Sequence, residues 1–133
     1  MPFSLDTYLG IHPDALKLQS KRTEVIADNL ANADTPGYKA RDIDFRAAMA
    51  SAGSPDAPVK MTTDNQGHIG IDPNTDASAN LRYRTPLAPA LDGNTVDSQQ
   101  EQAAFADNTV RYQATLTFLS ARFKGLMTAI TGQ

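Results

Sequence analysis

The chain has no cysteine, no tryptophan and only two histidines. Disulfides and thiolate metal sites are therefore excluded, while cysteine's absence is compatible with any compartment. Neither His12 nor His68 has a helically spaced carboxylate or second ligand that suggests a zinc site. There is no basic block and the net charge is -3, which argues against a nucleic-acid partner, since phosphate binding needs clustered Lys and Arg. No stretch approaches the roughly 20 apolar residues of a membrane span. The N-terminal "MPFSLDTYLGIHPDALKLQ" has no basic segment followed by an apolar core, so no cleaved signal peptide is expected. Large apolar residues are also scarce. Alanine supplies 20 of the apolar positions, and Leu, Ile, Val and Phe together number 26 of 133 residues, a small stock for a compact core. A protein that finishes folding against partners is expected.

Chemistry-bearing patterns fail one by one. "DPNTDA" begins like a calcium loop at Asp72, Asn74 and Asp76, but has Ala77 where the turn needs glycine and Tyr83 where a bidentate Glu should close the site. "GHIG" lacks the third glycine and the helix of a nucleotide loop. No serine sits in a G-x-S-x-G context. Asp42 and Asp44 alternate with Ile43 and Phe45, which reads as the solvent face of a half-buried strand rather than a catalytic pair. No catalytic residue, metal, cofactor or small-molecule substrate is expected, and the chemistry to look for is association.

What is present lies mostly at the two ends. Leu9, Leu16, Thr23 and Leu30 recur every seven residues, with Ile26 and Ala33 on the same side. Pro13 suits the first turn of a helix starting after His12, or marks a kink near Gly10, and Pro36 ends the pattern. Toward the C-terminus, Phe105, Thr109, Tyr112, Leu116, Leu119, Phe123, Leu126 and Ile130 follow spacings of four and three without a break, a heptad seam of nearly four repeats. Asp97 or Ser98 is the expected N-cap, with Ser98 and Glu101 in capping-box spacing. A second stripe, Val110, Ala114, Phe118, Ala121, Gly125 and Ala129, runs beside the first. One partner helix covers only a narrow seam, so this wider arc calls for a second neighbour from another chain.

Residues 51–90 hold five of the eight prolines. Within them a short hairpin is expected, with strands at Met61–Thr63 and His68–Ile71 turned by Asp64 to Gly67. "TPLAPALDGNTVD" reads as an extended lead-in and a turn, centred on Asp92, Gly93 and Asn94, before the last helix. Thr35-Pro36-Gly37-Tyr38 fits a type II turn, because Pro36 fixes φ at the second position and Gly37 can supply positive φ at the third. A helix stop explains Pro36 and Gly37. It does not explain Asn29 and Asn32 on an otherwise apolar helix end, where their side chains can bind unpaired backbone groups or a neighbouring subunit. The expected fold is mainly α: paired N- and C-terminal helices forming a coiled coil, with a β-hairpin or extended segment and loops between. Three segments follow, 1–35, 36–96 and 97–133.

At these residues a family resemblance becomes specific. "DNLANADTPGYKARDIDF" resembles the N-terminal signature of the flagellar rod and hook family of axial proteins. "LDGNTVDSQQEQAAFADNTVRYQATLTFLSARFKGLMTAITG" is similar to a proximal-rod member, and Arg111-Tyr112-Gln113 stands where other rod proteins carry Arg-x-Tyr-x-x-Asn. The resemblance covers roughly residues 5–48 and 83–132. It implies a structural subunit of the flagellar basal body, exported unprocessed through the flagellar type III apparatus. It would assemble in the periplasm with other rod proteins, above the inner-membrane ring and export gate. The alternative is a cytoplasmic coiled-coil adaptor or export chaperone.

Overall fold

A computed structural model describes residues 5–52, 81–86, 88 and 90–132. The hairpin expected at 61–71 lies outside them. The order of elements is α1 (Leu5–Leu9), α2 (His12–Ala31), β1 (Arg41–Ile43), α3 (Phe45–Ala52), β2 (Leu81–Tyr83) and α4 (Ser98–Thr131). The protein is mainly helical, and its long N- and C-terminal helices pair. Among the described residues no helix is long and apolar enough to cross a membrane.

Both anticipated roles of the Gly10–Pro13 stretch occur. Gly10 takes φ 60° and separates α1 from α2, while Pro13 occupies the first turn of α2, where its missing N–H leaves no bond unmade. α4 starts at Asp97, whose carboxylate accepts from the Gln99 and Gln100 N–H groups. The capping box expected from Ser98 and Glu101 does not form, because Glu101 turns inward and is fully buried against α2 and the strand pair. Gly132, at φ 73°, closes the other end of α4 by donating its N–H to the Thr128 carbonyl.

The strand read from the alternation of Asp42, Ile43, Asp44 and Phe45 lies at Arg41–Ile43, and a helix follows it almost at once. β1 pairs antiparallel with β2 in the register Arg41↔Tyr83, Asp42↔Arg82, Ile43↔Leu81. Asp44 stops the strand by accepting the Ala47 N–H, which starts α3. Ile43 points inward and joins Leu18, Val25 and Ala48 in the apolar core, with Phe45, Met49 and Leu81 packed against it. This core lies between α2 and the β1–α3–β2 unit.

α2 and α4 run in opposite directions along one another. Asn29 meets Glu101, Gln19 meets Thr115, and Tyr8 of α1 meets Arg122. At 1.5 Å per residue α4 spans roughly 51 Å and α2 roughly 30 Å. The end of α4 past Arg122 therefore extends beyond the helix it pairs with.

Candidate functional site

The two motifs flanking the middle segment come together in space. Tyr38 donates its N–H to the Thr35 carbonyl at 3.3 Å and Gly37 adopts φ 74°, completing the Thr35–Tyr38 turn with Pro36 at its second position. The Gly37 N–H then donates to the Asp92 carbonyl at 2.9 Å, and the Lys39 ammonium to the Gly93 carbonyl at 2.6 Å. Asn94 is buried, and its amide N–H groups reach the carbonyls of Asn32, Ala33 and Thr35 at 2.7–3.0 Å. A helix end leaves carbonyls without intrahelical partners. Here a side chain from 60 residues further along the chain meets that need. The Asp92 carboxylate holds the Asn94 N–H at 3.0 Å, and the Thr95 hydroxyl accepts from the Ala40 N–H at 2.8 Å. Asn32 donates back to the Asp28 carbonyl, and the Thr35 hydroxyl donates to the Asn32 side-chain oxygen.

Asn29 is fully buried and joins three elements. Its amide nitrogen donates to the Arg41 carbonyl at 2.7 Å and to Glu101 Oε2 at 3.3 Å. Its oxygen accepts from the Arg41 N–H at 3.1 Å and the Tyr38 hydroxyl at 3.4 Å. Such a side chain imitates a strand edge along β1, which explains an asparagine in an apolar helical pattern.

Around it lies a chain of charges. Arg22 grips Asp42 through two bonds of 2.9 and 3.0 Å, and Arg84 bridges Asp42 at 2.7 Å and Glu101 at 2.6 Å. Asp42 thus does not face open solvent as the strand alternation suggested, since two arginines cover it. Burial pushes the Asp42 pKa up, but Arg22, Arg84 and the Ile43 N–H outweigh it and hold the carboxyl below its ordinary value. For Glu101 burial wins: its pKa is raised, with Asn29 and Arg84 offsetting only part of the cost.

The contact between α2 and α4 continues in polar residues. The buried positions of α4 are Glu101, Asn108 and Thr115, seven apart. Asn108 donates to the Gln19 carbonyl at 2.8 Å and the Thr23 hydroxyl at 2.9 Å, and Gln19 donates to the Thr115 hydroxyl at 3.2 Å. Arg122, one more heptad on, donates to the Tyr8 carbonyl at 3.1 Å and stacks 5.6 Å from its ring centroid.

The apolar stripes flank this polar ridge. On the N-terminal side Leu9 and Ile26 are buried, and Leu16 and Leu30 half-buried. On α4, Tyr112, Leu119 and Leu126 are half-buried at the edge of the ridge, with Tyr112 sharing a groove with Leu16. Phe105 and Leu116 are exposed, as are Phe123 at 45% and Ile130 at 83%. The second stripe is exposed too, including Val110 and Phe118. Apolar periodicity marked the faces α4 leaves uncovered. Arg22, Arg84, Gln19, Asn108 and Thr115 carried no sequence expectation and Glu101 only that of a capping box, although the seven-residue spacing of Glu101, Asn108 and Thr115 was a signal available in the sequence.

Known proteins share this chain's sequence over nearly its whole length. A family model described as flagella basal body rod protein matches residues 9–39. The flagellar basal body rod protein FlgB of Escherichia coli K12 is 44% identical over 130 residues, covering 95% of this chain and 94% of that protein. FlgB of Aeromonas hydrophila is 42% identical over 134 residues, covering 100% and 99%. FlgB of Cereibacter sphaeroides is 46% identical over 125 residues, covering 94% of each.

Proposed function

The chain belongs to the FlgB family of flagellar basal body rod proteins, and on that premise we propose that the apolar stripes of α4 are the surfaces on which neighbouring rod subunits pack. It is a structural subunit of the basal-body rod and acts with other rod components. The three relatives above are rod proteins, so the adaptor or chaperone alternative finds no support.

The observation that carries the proposal is the division of α4 by chemistry. Its contact with α2 runs through Glu101, Asn108 and Thr115, while Phe105, Leu116, Phe123 and Ile130 stay exposed. Monomeric soluble proteins rarely expose a continuous apolar face of this kind unless a partner covers it. In this reading Leu9, Leu16, Ile26 and Leu30 belong to the same packing seam from the N-terminal side, and Tyr112, Leu119 and Leu126, half-buried on α4, belong to it from the C-terminal side. Asn29, Asn32, Thr35–Tyr38 and Asp92–Asn94 form the joint where the chain leaves the helical pair. In this reading segments 1–35 and 97–133 build the axial part and 36–96 the outer part. Delivery is through the flagellar type III export apparatus to the periplasm, where the subunit sits near the inner-membrane ring. The chain works by association, not by catalysis.

Leu116→Asp tests the proposal. Leu116 is exposed in the single chain, so circular dichroism of the purified variant should match the parent. In cells whose own copy is deleted, the variant should fail to enter basal bodies and to restore swimming. Normal swimming would refute the role of the stripe.

A further inference from the structure

The two outer edges of the β1–β2 pair are finished differently. Arg84 donates its N–H to the Ala40 carbonyl at 2.9 Å, and in the same antiparallel register Arg82 exchanges backbone bonds with Asp42. Arg41 and Ile43 therefore turn their backbone groups away from β2, and Leu81 and Tyr83 turn theirs away from β1. On the β1 side the edge is closed. Asn29 meets both backbone groups of Arg41, and the Asp42 carboxylate accepts the Ile43 N–H at 2.8 Å. On the β2 side no described residue pairs with the N–H and carbonyl groups of Leu81 and Tyr83. Tyr83 is 76% exposed, so this edge is open. A bare strand edge is a template for one more strand.

The side chains of β2 define which strand fits. In an antiparallel addition Leu81 and Tyr83 exchange backbone bonds with the incoming chain. Arg82 then faces a residue whose Cα lies about 4.5 Å away, where side chains meet closely. The Arg82 side chain is 73% exposed and holds only a 3.4 Å contact with Asp44, so it can take a second carboxylate. The residues flanking that carboxylate fall on the face of Leu81, whose side chain borders the core beside Phe45 and Met49. The matching segment is therefore extended and reads apolar–acidic–apolar.

This chain does not supply that segment. A two-fold pairing of two β2 edges centred on Arg82 sets like charges directly opposite, which is destabilising. In the whole sequence only Ile43-Asp44-Phe45 places an acidic residue between two large apolar ones, and it is built into β1 and α3. The acidic residues of 53–80 are Asp56, Asp64, Asp72 and Asp76, and Asp56 and Asp72 adjoin a proline, which has no N–H to give. We propose that the free edge of β2 is a docking site for an extended apolar–acidic–apolar segment of a different protein, added as a third strand. Leu81 and Tyr83 hold its backbone, and Arg82 selects its acidic centre. The site is separate from the stripes of α4 and does not depend on their role.

The probe is the capped peptide Thr-Val-Glu-Val-Thr, titrated into the isotope-labelled full chain and followed by NMR. Amide shifts should centre on Leu81 to Arg84, and Thr-Val-Lys-Val-Thr should bind about tenfold more weakly. Arg82→Glu should reverse that preference. Tyr83→Pro removes an outward N–H without touching the β1 ladder, so its thermal midpoint should match the parent while peptide binding is lost. Tyr83→Thr keeps the N–H and should bind within about threefold of the parent. No binding at the solubility limit of the peptide overturns the proposal. Equal binding of the two peptides by the parent, or an unchanged preference in Arg82→Glu, overturns it as well. In the chain without peptide, the Tyr83 amide should exchange faster than those of Arg82 and Arg84. Slow exchange at Tyr83 sinks the proposal: at every concentration it means that the chain covers its own edge, and only on concentrating the sample it means that a second copy does.

Discussion

Glu101 and Asp42 are two carboxylates tied to one arginine, and their surroundings push them in opposite directions. Glu101 is fully buried and its pKa is raised, so the folded state binds its proton more tightly than the unfolded chain does. Its contribution to stability is present below the ordinary glutamate value and is lost as pH rises through the folded one. Asp42 is the reverse: its contribution is present above the ordinary aspartate value and lost as pH falls through its lowered folded one. Urea titrations should separate them. Asp42→Asn leaves Arg22 without its carboxylate and should cost about 3 kcal/mol at neutral pH. Glu101→Gln keeps the shape and leaves Arg84 paired with Asp42, so at neutral pH it should change stability by less than about 1 kcal/mol. As pH falls toward the ordinary glutamate value the parent should hold its stability better than Glu101→Gln, which has no proton to gain. Parallel curves for the two would show that Glu101 does not titrate in the folded state.

At the scale of elements, the end of α2 depends on residues far away in sequence. Proline and glycine stop the helix, but the carbonyls left at Asn32, Ala33 and Thr35 are met by Asn94. Asn94→Ala should therefore cost about 2 kcal/mol, because the Ala33 carbonyl loses its side-chain partner and the Asn32 and Thr35 carbonyls keep only the N–H groups of Thr35 and Tyr38. It should also loosen the joint, read as faster amide exchange at Gly37 and Ala40; unchanged exchange at both would mean that the turn holds by itself. The turn at Thr35–Tyr38 and the cap at Asp97 were legible because both are written in neighbouring residues. Helix α3 was not, because Phe45 and Met49 read equally well as the end of a strand, and only the core formed with Leu18 and Val25 turns that segment into a helix. Strand β2 was hidden for the same reason: three residues have no periodicity until β1 lies beside them.

Across the whole molecule, stability and association are assigned to different surfaces. The apolar core is small and sits on one side of α2, the polar ridge holds α4 on another, and the apolar stripes of α4 face outward. A polar ridge fixes the register of two helices while adding little stability, as a single buried asparagine does in coiled coils. Hydrogen exchange of the isolated chain should then be graded along α4: slowest from Glu101 to Thr115, and fast from Leu126 to Thr131, beyond the paired length. Incorporation into a rod should slow exchange in that last segment. Uniform protection of α4 in the isolated chain would refute the division.

The sequence by itself determined the two long helices, the punctuation between them, and α4 as a helix with more apolar surface than one neighbour can cover. These follow from local spacing, which any stretch carries within itself. Only the tertiary structure decided which face of α4 meets α2. The same heptad spacing occurs in an apolar series and in the polar series of Glu101, Asn108 and Thr115, and periodicity ranks the apolar one first. The polar series meets α2 because Asn29, Gln19 and Thr23 supply partners for it. Matching donors to acceptors between residues 70 to 100 positions apart is a property of the fold, not of any segment.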